Sequence, residues 1–165
     1  MENEQNVQVE QPQAAPQQPA YQAPQQPVYQ QAPVAPLKAN YGLLKFILLS
    51  LINFGIYGLV IMSRVSTDIN TIASRYDGKK TMHYCLLFFL INPITLGIAG
   101  IVWSHKISAR IGNELIRRGL DYKFNAATYW LWNVLGVCII VGPLVYTFKL
   151  FKSMNLLAAD YNAKG

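Results

Sequence analysis

Three long apolar runs interrupt an otherwise polar chain. Phe46–Met62, Tyr84–Trp103 and Asn125–Phe148 hold 17, 20 and 24 residues without a charge. About 20 mostly apolar residues are enough for a helix to cross a bilayer. With their apolar flanks adjusted, the segments are 42–62, 84–103 and 126–148. Each is followed by a stretch of helical period. Val65, Ile69, Ile72 and Tyr76 lie on one face, as do Ile107, Ile111 and Leu115, and Phe151, Met154, Leu157, Ala158 and Tyr161. This predicts amphipathic helices over 63–76, 104–119 and 149–161. Asp77-Gly78 and Arg118-Gly119 read as stop signals. The expected fold is an all-α integral membrane protein with a helical membrane domain over residues 38–165. A soluble bundle would need more polar sequence to cover three such runs.

The apolar segments contain helix breakers. Asn53-Phe54-Gly55, Asn92-Pro93 and Gly142-Pro143 each fall inside one. They predict either kinks in crossing helices or turns between two half-helices that dip and return. Segment length favours crossing. Half a segment reaches only about 15 Å at about 1.5 Å per residue.

The breakers also mark an internal repeat. Gly55-Ile56-Tyr57-Gly58 recurs as Gly97-Ile98-Ala99-Gly100, and more weakly at Gly142-Pro143. Asn70, Asn113 and Asn155 keep nearly the same spacing. Three copies of one unit are expected: apolar segment, glycine turn or kink, basic amphipathic helix. Gly55, Gly58, Asn92, Pro93, Gly97, Gly100, Gly142 and Pro143 are its turn or packing candidates, since small residues let helices approach closely.

Charge sharpens the topological question. The chain has 14 Lys+Arg, 8 Asp+Glu and a net charge of +6, yet only 13% charged residues. That is about half the charge of an average soluble domain. Three simple crossings would divide the basic residues equally between the two sides, contrary to the positive-inside rule. Three re-entrant hairpins would keep every basic helix on one side. Arg64, Arg75, Lys79, Lys80, Lys106, Arg110, Arg117, Arg118, Lys149 and Lys152 are the candidates for anionic lipid headgroups. The same charge is spread over juxtamembrane helices, so nucleic acid is not an expected partner.

Residues 1–37 differ in kind. They hold Glu2, Glu4 and Glu10, no Lys or Arg, and most of the prolines. Ala15-Pro16-Gln17-Gln18-Pro19-Ala20-Tyr21-Gln22 repeats almost unchanged over residues 23–30. Such a tail is expected to be disordered, with polyproline II character. P-x-x-P pairs at 16/19, 24/27 and 33/36 suit an aromatic groove on a protein partner. A solvated spacer is the simpler reading. No signal peptide or lipidation motif is visible.

LLKFILLSLINFGIYGLVIMSRVSTDINTIASRYDGKK (43–80), together with stretches around 88–119 and 141–162, resembles a bacterial membrane family known as domain-of-unknown-function family 4234. The INFGIYG turn at 52–58 and Asp68-Ile69-Asn70 are the most specific part. Leu59–Met62 stand where many relatives carry aromatics. The resemblance, over about residues 38–162, implies a bacterial membrane location and a variable low-complexity tail. It implies no activity.

No catalytic, cofactor or metal constellation is legible. His83 and His105 are isolated, and Cys85 and Cys138 lie in different apolar segments without a ligand set. The expected function is therefore non-enzymatic. It is that of a multi-pass cell-membrane scaffold or accessory protein, with a cytoplasmic Pro/Gln tail and basic helices on the lipid bilayer. The alternative is a channel or transporter subunit, assembled as a homo-oligomer. Its polar path would run past Asn53, Asn92 and Asn133. No intramembrane charge supports that path.

Overall fold

The computed structural model describes residues 32–165, and these are helical with no strand. The first two P-x-x-P pairs and most of the expected tail lie outside the described residues. Helix α1 (Leu43–Ile52) is followed by α2 (Ile56–Asp77). Helix α3 (Tyr84–Leu86) continues through a π-helical stretch, Leu87–Ile91, into α4 (Asn92–Ile94), and α5 (Ile98–Arg117) follows. Helix α6 (Ala126–Thr128) continues through π-helical Tyr129–Val134 and 3-10 Leu135–Ile139, and α7 (Gly142–Lys164) completes the order. Pro93 has no N–H to give the preceding turn, and the widened helix just before it accommodates that loss.

The apolar segments reverse rather than kink. Gly55 and Gly97 share φ 87° and ψ −9°. Each donates its N–H five residues back, to Ser50 at 2.7 Å and to Asn92 at 2.9 Å. Before each stands a non-glycine residue of positive φ, Phe54 (46°) and Leu96 (50°), and Ile140 (47°) holds the third turn. Two consecutive left-handed residues end a helix and send the chain back along itself. The expected apolar segments are thus split. Their second halves join the amphipathic stretches to form α2, α5 and α7. Asn92-Pro93 does not form its turn but precedes it, and Gly142-Pro143 starts α7, where proline is favoured. Among the described residues, no helix is long and apolar enough to cross a membrane.

Glycines close the necks of the hairpins. A Cβ on Gly58 would make ordinary contact with Ser50 and Phe46, whereas one on Gly142 would overlap the Gly136 backbone. Gly142→Ala is expected to lower the melting temperature by several degrees, since overpacking costs about 1–3 kcal/mol. Gly58→Ala should leave it unchanged or raised, because alanine replaces glycine inside a helix. A thermal melt in mild detergent reads both. Equal losses would contradict the hairpin necks.

Contacts between hairpins fix their relative height. His105 lies eight residues past Gly97 and Trp130 ten before Ile140, and Trp130 Nε1 donates to His105 at 3.0 Å. Ser63 lies eight past Gly55 and Cys85 eleven before Leu96, and their side chains meet at 3.0 Å. Partners at nearly equal distances from their turns put all three tips at one end. The long helices run away from that end and bury their apolar faces on one another. Val65, Ile69, Ile72, Ile107, Ile111, Met154, Leu157 and Tyr161 are fully enclosed. These faces are therefore not laid on a lipid interface, as a surface-lying amphipathic helix would require.

The extended segment before α1 is clamped to α7. Asn155 bonds both backbone groups of Tyr41 at 2.8 Å, and Asn162 bonds both of Leu37 at 2.7 Å. Val34 N–H donates to the Tyr161 hydroxyl. The last residues of the expected tail, 34–37, are thus held against α7 rather than disordered, and the 33/36 P-x-x-P pair lies at this segment.

Candidate functional site: an apolar end and its ring of cations

The tips are apolar and unprotected. Phe54 is 96% exposed, Leu96 92% and Ile140 86%. Leu51, Ile52, Ile56, Ile94, Ile98 and Ile139 are exposed around them. A soluble monomer rarely exposes a contiguous apolar patch of more than a few hundred Å². The tip residues also adopt a conformation that a bulky side chain enters at a cost of about 1–2 kcal/mol. Strain and exposure coincide at three places, which is the pattern of a functional surface.

Cations begin at one height. Lys45 lies nine residues before Phe54, and Arg64, Lys106 and Lys149 lie nine after Gly55, Gly97 and Ile140. At about 1.5 Å per residue this ring is about 14 Å from the tips. No charged residue lies closer. The exposed indole of Trp130 stands at the same level.

The basic candidates divide into two groups. Arg110 is engaged by Asp77 at 2.7 Å and also bonds Thr81, Ser74 and Lys79 O. Arg118 is buried between Glu114 at 2.7 Å and Asp160 at 2.9 Å. Arg117 pairs with Glu114 and stacks on Tyr76 at 3.5 Å, and Arg64 pairs with Asp68 at 3.5 Å. Arg110 and Arg118 are thus withdrawn from any headgroup, because a guanidinium sequestered by carboxylates is the structural brace of a helix seam. Lys149 and Lys152 face the Tyr122 ring, and Arg75 reaches Ala32 O. Lys79, Lys80 and Lys106 are exposed and make no ion pair within 4 Å among the described residues.

Local charge shows in the acids. Burial alone would raise Asp77, but hydrogen bonds from Arg110 and the Lys79 amide, with their charges, hold it below the usual carboxylate range. Burial raises Asp68, against the opposing Tyr41 hydrogen bond and the Arg64 charge. The Tyr41 hydroxyl donates to Asp68 at 2.6 Å, and burial pushes that phenol up in turn.

The turn and packing candidates lie at the hairpins. Gly55 and Gly97 form turns. Gly58 and Gly100 face the opposing arm, Gly100 against the Asn92 side chain. The repeat asparagines diverge. Asn70 bonds both backbone groups of Thr81 at 2.8 and 2.7 Å, as Asn155 does for Tyr41, whereas Asn113 is exposed on α5. Asn53 lies exposed in the first turn, Asn92 between the arms of the second hairpin and Asn133 on the third. No hydrogen bond joins them among the described residues.

Residues 41–113 match the family described as Domain of unknown function (DUF4234). The resemblance legible in the sequence holds over that span. The DUF4234 match takes in the first two hairpins and most of α5, and ends before the third hairpin. No curated protein and no solved structure matches the chain.

Sequence reasoning missed Phe54, Leu96 and Ile140 as site residues. Their signal was an apolar residue directly before Gly55 and Gly97, set between two apolar halves.

Proposed function

We propose that the chain is a non-enzymatic membrane scaffold that seats three hairpin tips in one leaflet and holds its helical base and Pro/Gln tail in the water beside it. The carrying observation is the ring of cations about 14 Å from three exposed apolar tips. One leaflet of a roughly 30 Å hydrocarbon core is about that deep. Lysine, arginine and an exposed tryptophan at that level suit the headgroup zone. The three hairpins are, on this reading, copies of one unit, and re-entrant seating replaces crossing. All basic helices then share one side, which answers the charge balance that three crossings leave unexplained. The turn backbone buried in lipid is satisfied in part by the bonds to Ser50 and Asn92.

Topology tests this directly. With Cys85 and Cys138 replaced, single cysteines go to Thr67, Asn113 and Ala163, exposed positions on the three long helices. The protein should fractionate with membranes, and an impermeant thiol reagent should treat all three sites alike in intact cells. Labelling of one site but not another would establish crossing and reject the hairpin reading.

A further inference from the structure

A groove of about 1060 Å³ runs beside α5, between that helix, the loop after α2 and the first arm of the second hairpin. Its character changes along its length. Leu87, Ile91, Ile98 and Val102 line the end nearest the tips, and Lys79, Lys80, Lys106 and Arg110 line the base. Its two carboxylates are already engaged, Asp77 by Arg110 and Glu114 by Arg117 and Arg118. The charge left for a ligand is therefore that of the three lysines.

We infer that this groove holds one anionic phospholipid, its acyl part along Ile91, Ile98 and Val102 and its phosphate at Lys80 and Lys106. The inference deepens the one-leaflet reading and rests on it, because the apolar end opens at the depth assigned to hydrocarbon, Lys106 stands at the headgroup level, and Lys79 and Lys80 line the groove on its watery side. The volume exceeds what a free phosphate needs and lies at the upper end of small-molecule sites. The apolar walls would leave most of it without a partner if only an anion bound. A neutral lipid would leave the lysines unmatched. The occupant that satisfies both ends has a charged head and an apolar tail.

The test uses the full chain purified in mild non-ionic detergent, with phosphatidylglycerol added and native mass spectrometry as readout. One phosphatidylglycerol per chain should be retained. Phosphatidylcholine should be held weakly, and excess inorganic phosphate should not displace the lipid. Lys80→Ala with Lys106→Ala should weaken retention roughly 30-fold, at about fivefold for each basic residue. Val102→Trp, at an exposed position, should block the apolar end. Circular dichroism confirms helicity, and the lysine pair, being exposed, keeps the test valid if the tryptophan variant does not fold. Equal retention by the variants, equal retention of phosphatidylcholine, or displacement by free phosphate would each overturn the lipid site. Wild-type flotation with vesicles is read separately. Its failure rejects the one-leaflet reading, whereas flotation without lipid retention rejects the groove alone.

Discussion

Replacing Phe54, Leu96 and Ile140 together by aspartate is expected to release the chain from neutral vesicles while leaving its helices intact. Each wild-type side chain removes about 1.5–3 kcal/mol of apolar surface from water when fully buried. Three of them contribute about 6 kcal/mol, close to four decades of partitioning. Each carboxylate adds a further penalty at any depth below the headgroups. The substitution is gentle on the fold. These side chains touch almost nothing, and aspartate accepts positive φ more readily than phenylalanine, leucine or isoleucine. The thermal melt in detergent should therefore hold or rise as flotation is lost. Single variants should each remove about a third of the effect on a logarithmic scale. A triple variant that still floats would sink the proposal that the tips are the anchor.

The second large effect concerns the far end. Arg118→Ala is expected to cost about 3 kcal/mol, in the range for breaking a buried ion pair by removing one partner. The melting temperature should fall by about 6–12 °C. Arg118 joins α5 to the last turns of α7 through Glu114 and Asp160, and its loss leaves those two buried carboxylates only their exposed partners, Arg117 and Lys164. Acid should expose the same link. Burial would raise Asp160, but hydrogen bonds from Lys164 and Arg118, and their charges, lower it. A carboxyl lowered in the folded state contributes stability above its unfolded value of about 3.9, and that contribution disappears as pH falls through the folded value. The wild-type chain should lose stability below about pH 4, and the variant should lose less of it there. Asp77 titrates in the same direction through Arg110, so some slope remains. Asp68 works in the opposite direction. Its raised value favours the folded state below about pH 4, and that contribution fades as pH rises through the folded value. A variant as acid-labile as the wild type would remove Arg118 from the link.

Much of the helix pattern was legible. Val65, Ile69, Ile72 and Tyr76 announced one buried face, and Gly78 closes α2 in a left-handed conformation directly after Asp77. The reversals were not legible, because they depend on Phe54, Leu96 and Ile140 taking a backbone conformation that their side chains disfavour. Sequence weighs such residues as helix or strand formers, and a central glycine fits a kink as well as a turn. Arg110 and Arg118 misled for a different reason. A helical wheel gives charged residues to water, but here the α5 seam takes them in, since Asp77 and Asp160 arrive from other helices. The Glu114–Arg118 spacing of four was the local hint. The groove was out of reach, because its walls come from three separate elements.

The placement of charge in the hairpins bears on how such a chain would reach its final position. The connecting loops with Lys79, Lys80 and Lys123 sit at the base, and no charged residue lies fewer than nine positions from a turn. Seating the tips therefore asks no ion to traverse hydrocarbon. A chain folded at its base can dock from one side, without a translocation step for its loops.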